Sequence, residues 1–295
     1  MNFLRINDGV LYMLIASFCF ALMGVFVKIL SSSFGILEIT FFRNIFGVAL
    51  IGVTLFNSPL KNKGGKIGLL FFRGIIGFLA LLAWFYNIAH IPLADAMTFS
   101  RTAPIFTAVI AFFALNERLS KKGWAAIFIG FAGVIFIMKP SGLSLKTTDI
   151  MGLFSGFGAA LAYTSVRELK KYYDTRTIVL FFMSAGSICP VLMVLANNFL
   201  HISFFGEFFG NVSVPKGIDW IYIICMGVFA TIAQIFMTRA YGATKAGIVS
   251  AVSYADIVFS VIFGTIIWNS FPDLFGLFGI ILVILSGIIV AKEKI

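Results

Sequence analysis

Ten apolar runs follow one another along this chain, separated by short turns that hold most of its charge. Crossing the hydrocarbon core of a bilayer takes about 20 mainly apolar residues in helical form. The runs are Val10–Leu30, Ile36–Phe56, Ile67–Ala89, Leu93–Leu115 and Trp124–Met138, then Ile150–Val166, Ile178–Leu195, Ile218–Thr238, Gly247–Trp268 and Leu274–Ala291. Helices satisfy their own backbone groups in lipid, whereas barrel strands would alternate, and these runs are apolar all round. The expected fold class is therefore all-α integral membrane, with ten transmembrane helices. The fifth and sixth runs are short and are expected to span by packing within the bundle or by local bilayer thinning.

Composition agrees with a bilayer solvent. The chain is 60% hydrophobic and 12% charged, with a mean hydropathy of +1.04, whereas soluble domains are about 25% charged. Its 36 Phe and 28 Gly suit lipid-facing bulk and close helix contacts. The net charge of +10 does not point to a nucleic-acid partner, because no continuous basic face or nucleic-acid motif carries it.

The basic residues instead orient the chain. With the N-terminus in the cytoplasm, the inner segments hold Arg5, Lys61, Lys63, Lys66, Arg118, Lys121, Lys122, Arg167, Lys170, Lys171, Arg176, Arg239, Lys245, Lys292 and Lys294. The outer loops hold only Lys139, Lys146 and Lys216. Positive residues concentrate on the cytoplasmic side, so both termini are expected there, in a multi-pass protein of the inner (cytoplasmic) membrane. The first run lacks a small-residue cleavage site and is expected to stay as a span. Cys19, Cys189 and Cys225 lie inside apolar runs without metal-ligand spacing and read as packing residues.

One outer loop, Ala196–Lys216, is long, and its Phe199–Phe209 stretch is expected to lie along the membrane surface. It also carries the triplet Asn211-Val212-Ser213, an N-glycosylation pattern common by chance.

The runs fall into two halves, residues 1–140 and 147–295. Shifting the first half by 152 residues sets Ala94 on Ala246, Ala103 on Ala255, Pro104 on Asp256 and Glu117 on Asn269. Two extra residues then enter before Gly133 meets Gly287. Five spans per half is an odd number, so the second repeat is inverted in the membrane. Inverted repeats give a transporter two related conformations, each open to one side.

The stretch Trp84-Phe85-Tyr86-Asn87-Ile88-Ala89-His90-Ile91-Pro92-Leu93-Ala94-Asp95-Ala96 leads into a span containing Pro104. That span ends in Asn116-Glu117-Arg118-Leu119, followed by Gly123, Gly130 and Gly133. Over essentially the whole chain this resembles the drug/metabolite transporter superfamily in its EamA-type branch. Phe72-Arg73-Gly74 and Trp84-Phe85-Tyr86 also make the first half similar to the acyl-malonyl-condensing-like solute carriers. The resemblance implies ten helices in two five-helix repeats and alternating-access transport of small metabolites through a central cavity. Family substrates include amino acids, organic acids, nucleotide derivatives and drugs, so the fold leaves the substrate open. In the second repeat Asp256 stands where the family usually has Pro, and Asn269 where it usually has Glu.

Ionisable side chains at mid-span are costly and usually face a cavity or one another. Arg43, Arg73, Arg101 and Asp256 lie at such depth. Residues expected to bind substrate are Arg101, Asp256 and Arg73, with Tyr254, Tyr86, Trp84, Asn87, Met97 and Gln234 beside them. Arginine offers a planar fork of donors to a carboxylate or phosphate. Asp256 can bind a substrate amine or carry a coupling proton, and a nearby Arg opposes the second role. Three arginines against one aspartate favour an anionic or zwitterionic substrate. The competing expectation is that Arg101 and Asp256 form a structural ion pair locking the halves together.

Simpler roles are expected elsewhere. Glu38 or Asn44 satisfies Arg43, Lys28 snorkels to the outer interface, and Glu117 with Arg118 forms a cluster at the cytoplasmic helix end. His90 is solvated, and Pro104 and Pro190 kink their helices.

The absent motifs bound the function further. The sequence has no phosphate-binding nucleotide loop, no HExxH and no His/Cys cluster, so no ATP-driven pump, metal centre, cofactor or catalytic pair is expected. Small-xxx-small patterns such as Gly152-x-x-x-Gly156 suit contacts within a monomer or a homodimer. The reading is a non-enzymatic permease whose partners are a small-molecule substrate, the lipid bilayer and protons as coupling ion. Its alternatives are an exporter of cationic or aromatic compounds and a non-transporting structural or regulatory membrane protein.

Overall fold

The computed structural model describes residues 7–91, 93–138, 146–200, 213–269 and 271–291. Within them the regular structure is helical throughout. The first half holds α1 (Asp8–Leu30), α2 (Ile36–Asn57), α3 (Ile67–His90), α4 (Leu93–Ser100), α5 (Ala103–Leu115) and α6 (Lys121–Met138). The second holds α7 (Thr147–Leu169), α8 (Thr175–Leu200), α9 (Asp219–Ala243), α10 (Ala246–Val252), α11 (Ala255–Trp268) and α12 (Leu274–Ala291).

These helices make ten spans, because the fourth (α4 and α5) and the ninth (α10 and α11) are each broken in the middle. Both had been expected as continuous runs. Among the described residues, 8 segments are long and apolar enough to cross a membrane by length and composition, and Leu274–Val290 is a shorter apolar helix.

The sixth span differs most from its sequence reading. It is a helix of 23 residues, about 34 Å long at 1.5 Å per residue, and it needs no bilayer thinning. Asp149 and Arg167 had cut the apolar run short, yet both lie inside the helix. Asp149 accepts a hydrogen bond from Lys146 N at its start. The small face of α7, with Gly152, Ser155, Gly156 and Ala160, is buried in the bundle. Its other face, with Ile150, Leu153, Phe154 and Phe157, is exposed and apolar, so only the lipid-facing side of this helix has to be hydrophobic.

Pairing between helices shows the inverted repeat directly. Extensive contacts join α1 to α9 and α3 to α7. In span order these are one with eight and three with six, two pairs that exchange when the halves are swapped. The pairs α6 with α12 and α2 with α8 are five with ten and two with seven, and each maps onto itself. A two-fold axis lying in the membrane plane requires this pattern. The self-paired α6 and α12 approach closely at glycine: a Cβ on Gly133 would meet Gly279 O at 2.7 Å, and one on Gly279 would meet Gly133 O at 2.6 Å.

Several helix N-termini are satisfied by local acids and amides. Asn7 Oδ1 accepts from Gly9 N, and its Nδ2 donates to Thr244 Oγ1 at 2.7 Å, tying the start of α1 to the end of α9. Glu38 accepts from Gly35 N and Ser213 N, and Asp219 from Lys216 N. One end of the bundle carries Arg118, Lys121, Lys122, Arg167, Lys170 and Lys171; it is called the basic end below. The Phe199–Phe209 stretch lies largely outside the described residues.

The repeat register also shifts from the expected one. Asn116 and Asn269 both end their half-helices in the left-handed conformation, with φ of 55° and 52°. Each donates its backbone N–H back into the last turn, to Ala111 O and Gly264 O. The equivalent of Asn269 is therefore Asn116, one residue before Glu117, because α11 holds one residue more than α5. Asparagine tolerates this conformation better than most residues, which explains the same residue at both stops.

Candidate functional site

The two broken helices meet at their breaks. The turn at Arg101-Thr102 separates α4 from α5, and the turn at Ser253-Tyr254, 152 residues on, separates α10 from α11. Neither break is forced by glycine. The backbone instead tightens into i→i+3 hydrogen bonds: Thr102 N to Phe99 O and Ile105 N to Thr102 O in one, Tyr254 N to Ala251 O and Ile257 N to Tyr254 O in the other. Hydroxyls compete for the same carbonyls, with Thr102 Oγ1 donating to Phe99 O and Ser253 Oγ to Ser250 O, both at 2.6 Å. Such back-bonding loosens a helix locally, and a short tightened stretch within a helix often marks a hinge. Pro104 opens α5, where its missing N–H costs nothing. In the other repeat Asp256 takes that place, in the first turn of α11.

Across this junction Arg101 Nη1 donates to Asp256 Oδ2 at 2.7 Å. The cation follows the C-terminal end of α4 and the anion sits at the N-terminal end of α11, so both helix dipoles favour the charges they hold. The pair is incompletely satisfied. Arg101 Nε and Asp256 Oδ1 are buried and have no hydrogen-bond partner in the structure, while the side chains keep 20% and 14% exposure. A charged group at mid-bilayer costs at least about 2.5–3.5 kcal/mol, which pairing only partly offsets.

The other expected residues divide by position. Tyr254 is fully buried, with its ring against the space left by Gly130 and its hydroxyl donating to Arg101 O at 3.3 Å. It reaches the junction through that carbonyl. Ser250 Oγ donates to Gly247 O at 3.0 Å and toward Pro104 O at 3.4 Å, joining the repeats one turn away. Met97 is half-buried one turn before Arg101. Asn87 is fully buried, its amide nitrogen and oxygen both unpartnered, beside Gly152 and Phe99. Gln234 is 5% exposed with its oxygen unpartnered. Tyr86 stacks on His90 at 4.1 Å and packs on the cluster of Leu37, Phe78 and Met193. Trp84 is half-buried on α3.

Arg73 is 2% exposed, its guanidinium 4.5 Å from the Phe182 ring, with Nε and Nη1 unpartnered. Arg43 is 9% exposed with Nε unpartnered. Neither partner expected for Arg43 bonds to it, and Asn44 Oδ1 accepts no hydrogen bond. Glu38 holds Gly35 N and Ser213 N, and Asn44 Nδ2 donates to Thr40 O at 2.8 Å.

A second junction, not foreseen in the sequence, closes the basic end. Glu117 pairs with Arg167 rather than with its neighbour Arg118. Its Oε1 accepts from Arg167 Nε at 2.8 Å, and its Oε2 accepts from Ala246 N, the first residue of α10, at 2.7 Å. Arg167 Nη1 donates on to Gly242 O at 2.9 Å. Tyr163 stacks on Tyr241 at 5.5 Å deeper in the same seam. A shallow cavity of about 550 Å³ lies around Glu117, Arg167, Lys170 and Gly242. The Asn116-Glu117 pair that ends the fourth span was the available signal, but its partner stands 50 residues away.

The two ends of the bundle are not alike. At the basic end α5 packs along α10, and every residue of α10 is buried. Their repeat mates at the other end, α4 and α11, make no comparable contact among the described residues, and Ile257 is the one buried residue of α11 among them. Ser260, one turn beyond Asp256 on the same helix face, is exposed. The α5–α10 contact closes the basic end, whereas at the opposite end α11 packs on α1 and not on α4.

Residues 7–139 and 146–291 each match the EamA-like transporter family. A protein of Helicobacter pylori (strain J99) named only as a transporter is 36% identical over 287 residues, covering 96% of this chain and 94% of its own. The pseudopaline exporter CntI of Pseudomonas aeruginosa is 30% identical over 291 residues, covering 98% of each. A crystal structure superposes with a TM-score of 0.77 over 95% of both chains at 14% identity, a likeness of fold alone. With ten helical spans in two inverted repeats and matches along its whole length, the chain belongs to the EamA-like transporter family and is a multi-pass membrane transporter of small molecules, not an enzyme.

Proposed function

We propose that the protein moves a small anionic or zwitterionic metabolite, of amino-acid or organic-acid type, across the cytoplasmic membrane by alternating access, with both termini in the cytoplasm. One observation carries this reading: the Arg101–Asp256 pair joins one broken helix from each repeat and leaves a buried donor and a buried acceptor unused. A carboxylate bound to Arg101 would take up the idle Nε and loosen the hold on Asp256. The released Asp256 carboxylate would then accept a substrate amine or a coupling proton. The repeats correspond to residues 1–140 and 147–295, and the transporter acts as a monomer or a homodimer. With the basic end in the cytoplasm, the closed seam at Glu117 makes this an outward-facing state.

A second reading has its own support. The unpartnered Asp256 Oδ1 suits a cationic compound, and CntI is named as an exporter. Export of a cationic or aromatic compound would use Asp256 with Met97, Tyr86 and Trp84. Thermal stability of the purified protein against amino acids, organic acids and organic cations separates the readings. A ligand of the folded state raises the melting temperature by mass action. Stabilisation by amino or organic acids that disappears in Arg101→Ala, with the variant still folded, is expected. Stabilisation by organic cations alone, lost in Asp256→Asn, would replace the anionic reading with the export one.

A further inference from the structure

Proline at the break of the fourth span leaves one carbonyl short of a donor. In the ninth span Ser253 O accepts from Asp256 N, three residues on, at 3.2 Å. The equivalent carbonyl in the fourth span is that of Arg101, and the residue three on is Pro104, which has no N–H. The next N–H along the chain, that of Ile105, donates to Thr102 O at 3.0 Å. A carbonyl away from water at mid-bilayer needs a partner. Tyr254 supplies it from the break of the other repeat, its hydroxyl donating to Arg101 O at 3.3 Å.

The surroundings of Tyr254 hold its phenol in place. The residue is fully buried, in a cluster with Val134 of α6, Ile257 of α11 and Val283 of α12. Gly130 makes room for the ring: a Cβ there would lie 2.6 Å from Tyr254 Cδ2 and 2.7 Å from Ser286 Oγ. Ser286 in turn donates to Ala126 O at 2.6 Å, stitching α12 to α6 one turn away. The phenol therefore rests on the self-paired α6 and α12 and reaches across to the fourth span. Asp256 lies two residues beyond it. The ninth span thus holds Arg101 at two points, the guanidinium through Asp256 and the carbonyl through Tyr254. The repeat mate of Tyr254 is Thr102, whose hydroxyl turns back to Phe99 O within its own span, so the tie runs one way.

We propose that Tyr254 is a positioning residue of the transport site: its hydroxyl stands in for the N–H that Pro104 lacks, fixing the Arg101 backbone so that the guanidinium stays aimed at Asp256 and at the solute. This rests on the reading above, in which the solute binds Arg101, and deepens it by giving Tyr254 a role through Arg101 in place of contact with the solute. Without the hydroxyl, the Arg101 carbonyl has to find another donor, and the break shifts to reach it. A guanidinium moved by a fraction of its reach presents its fork in the wrong direction, and a planar fork tolerates little misalignment.

The test is a double-mutant cycle on the purified full-length protein, because Pro104→Ala restores an N–H in position for Arg101 O. Without solute, Tyr254→Phe is expected to lower the melting temperature by a few degrees, through a buried acceptor left without its donor. In the Pro104→Ala background the same change should cost about a degree or less. The amino or organic acid that stabilises the wild type in the panel above is then titrated. Its half-maximal concentration should rise about tenfold or more in Tyr254→Phe and return most of the way in the double variant. An equal melting fall in both backgrounds, misfolding of Tyr254→Phe in both included, overturns the proposal. So does a raised half-maximal concentration that the double variant keeps, which marks direct contact between Tyr254 and solute. A lowered melting temperature with an unchanged half-maximal concentration makes the hydroxyl structural and also overturns it. If Pro104→Ala does not fold, Pro104→Ser supplies the same N–H. Should no acid in the panel stabilise the wild type, the anionic reading falls by itself, and the ligand-free cycle still decides whether the hydroxyl replaces the missing N–H.

Discussion

At Arg101 and Asp256 the charge at mid-bilayer is stabilised by position as much as by partner. Each sits at the helix end whose dipole suits it, and each retains one unused polar atom. The sequence displayed both residues, since an isolated charge in an apolar run is conspicuous. It did not display that they touch, which depends on two breaks built from ordinary Ser, Thr and Tyr residues. Arg43 illustrates the opposite failure: Glu38 and Asn44 lie nearby in sequence, but backbone amides occupy Glu38, and Asn44 donates to Thr40 O while its Oδ1 accepts no hydrogen bond from Arg43. At the basic end, Asp174 allows a test by pH. Burial pushes its carboxyl pKa up, but the backbone N–H and guanidinium of Arg176 outweigh that and hold it below the usual carboxylate range. A carboxylate so depressed stabilises the fold above its unfolded pKa, and that stability is lost as pH falls through the folded value. Asp174→Ala is expected to cost about 1 kcal/mol at neutral pH, as for a lost helix cap. The gap from wild type should narrow at acid pH, as pH falls below the ordinary aspartate value of about 3.9 and through the lower folded one. Melting temperatures of both proteins at the two pH values check this; a gap that stays constant with pH contradicts it.

Among the elements, the half-helices are the informative ones. The continuous apolar run of the fourth or ninth span gives no hint of a break, because the broken residues keep right-handed helical angles. The length of α7 was hidden for a related reason: charges at helix ends, here Asp149 on Lys146 N and Arg167 on Glu117, look like turns when only hydropathy is read. The lock at Glu117 predicts a local opening. Glu117→Gln removes the ion pair to Arg167 and weakens the bond from Ala246 N. A charge-assisted bond contributes about 1.5–3 kcal/mol, so amide hydrogen exchange at Ala246–Ser250 should rise on the order of tenfold or more. Unchanged exchange there would show that α10 is held by packing alone. The α6–α12 seam makes a separate prediction. Gly133→Leu should destabilise by about 1–3 kcal/mol through overpacking, because a Cβ there would already press on the Gly279 backbone at 2.7 Å. A melting temperature equal to wild type would mean that the seam can part at little cost.

For the whole molecule, the inverted repeat was legible in sequence, because it rests on period and on charge in the turns. The pairing of α1 with α9 and of α3 with α7 turns that symmetry into contacts. What breaks the symmetry is chemical: the basic-end seam between α5 and α10 carries Glu117 and Arg167, while α11 packs on α1 rather than on α4. On the proposed alternating-access reading, exchanging which pair of half-helices packs would convert one access state into the other around the Arg101–Asp256 pair. The most direct test of that centre is isotope exchange in proteoliposomes, using the solute identified by thermal stabilisation. The wild type should exchange labelled solute across the bilayer. Arg101→Ala and Asp256→Asn should each lose exchange at least tenfold while remaining folded, with melting temperatures within a few degrees of wild type. Exchange at the wild-type rate in either folded variant would contradict the account and reduce the pair to a structural fastening.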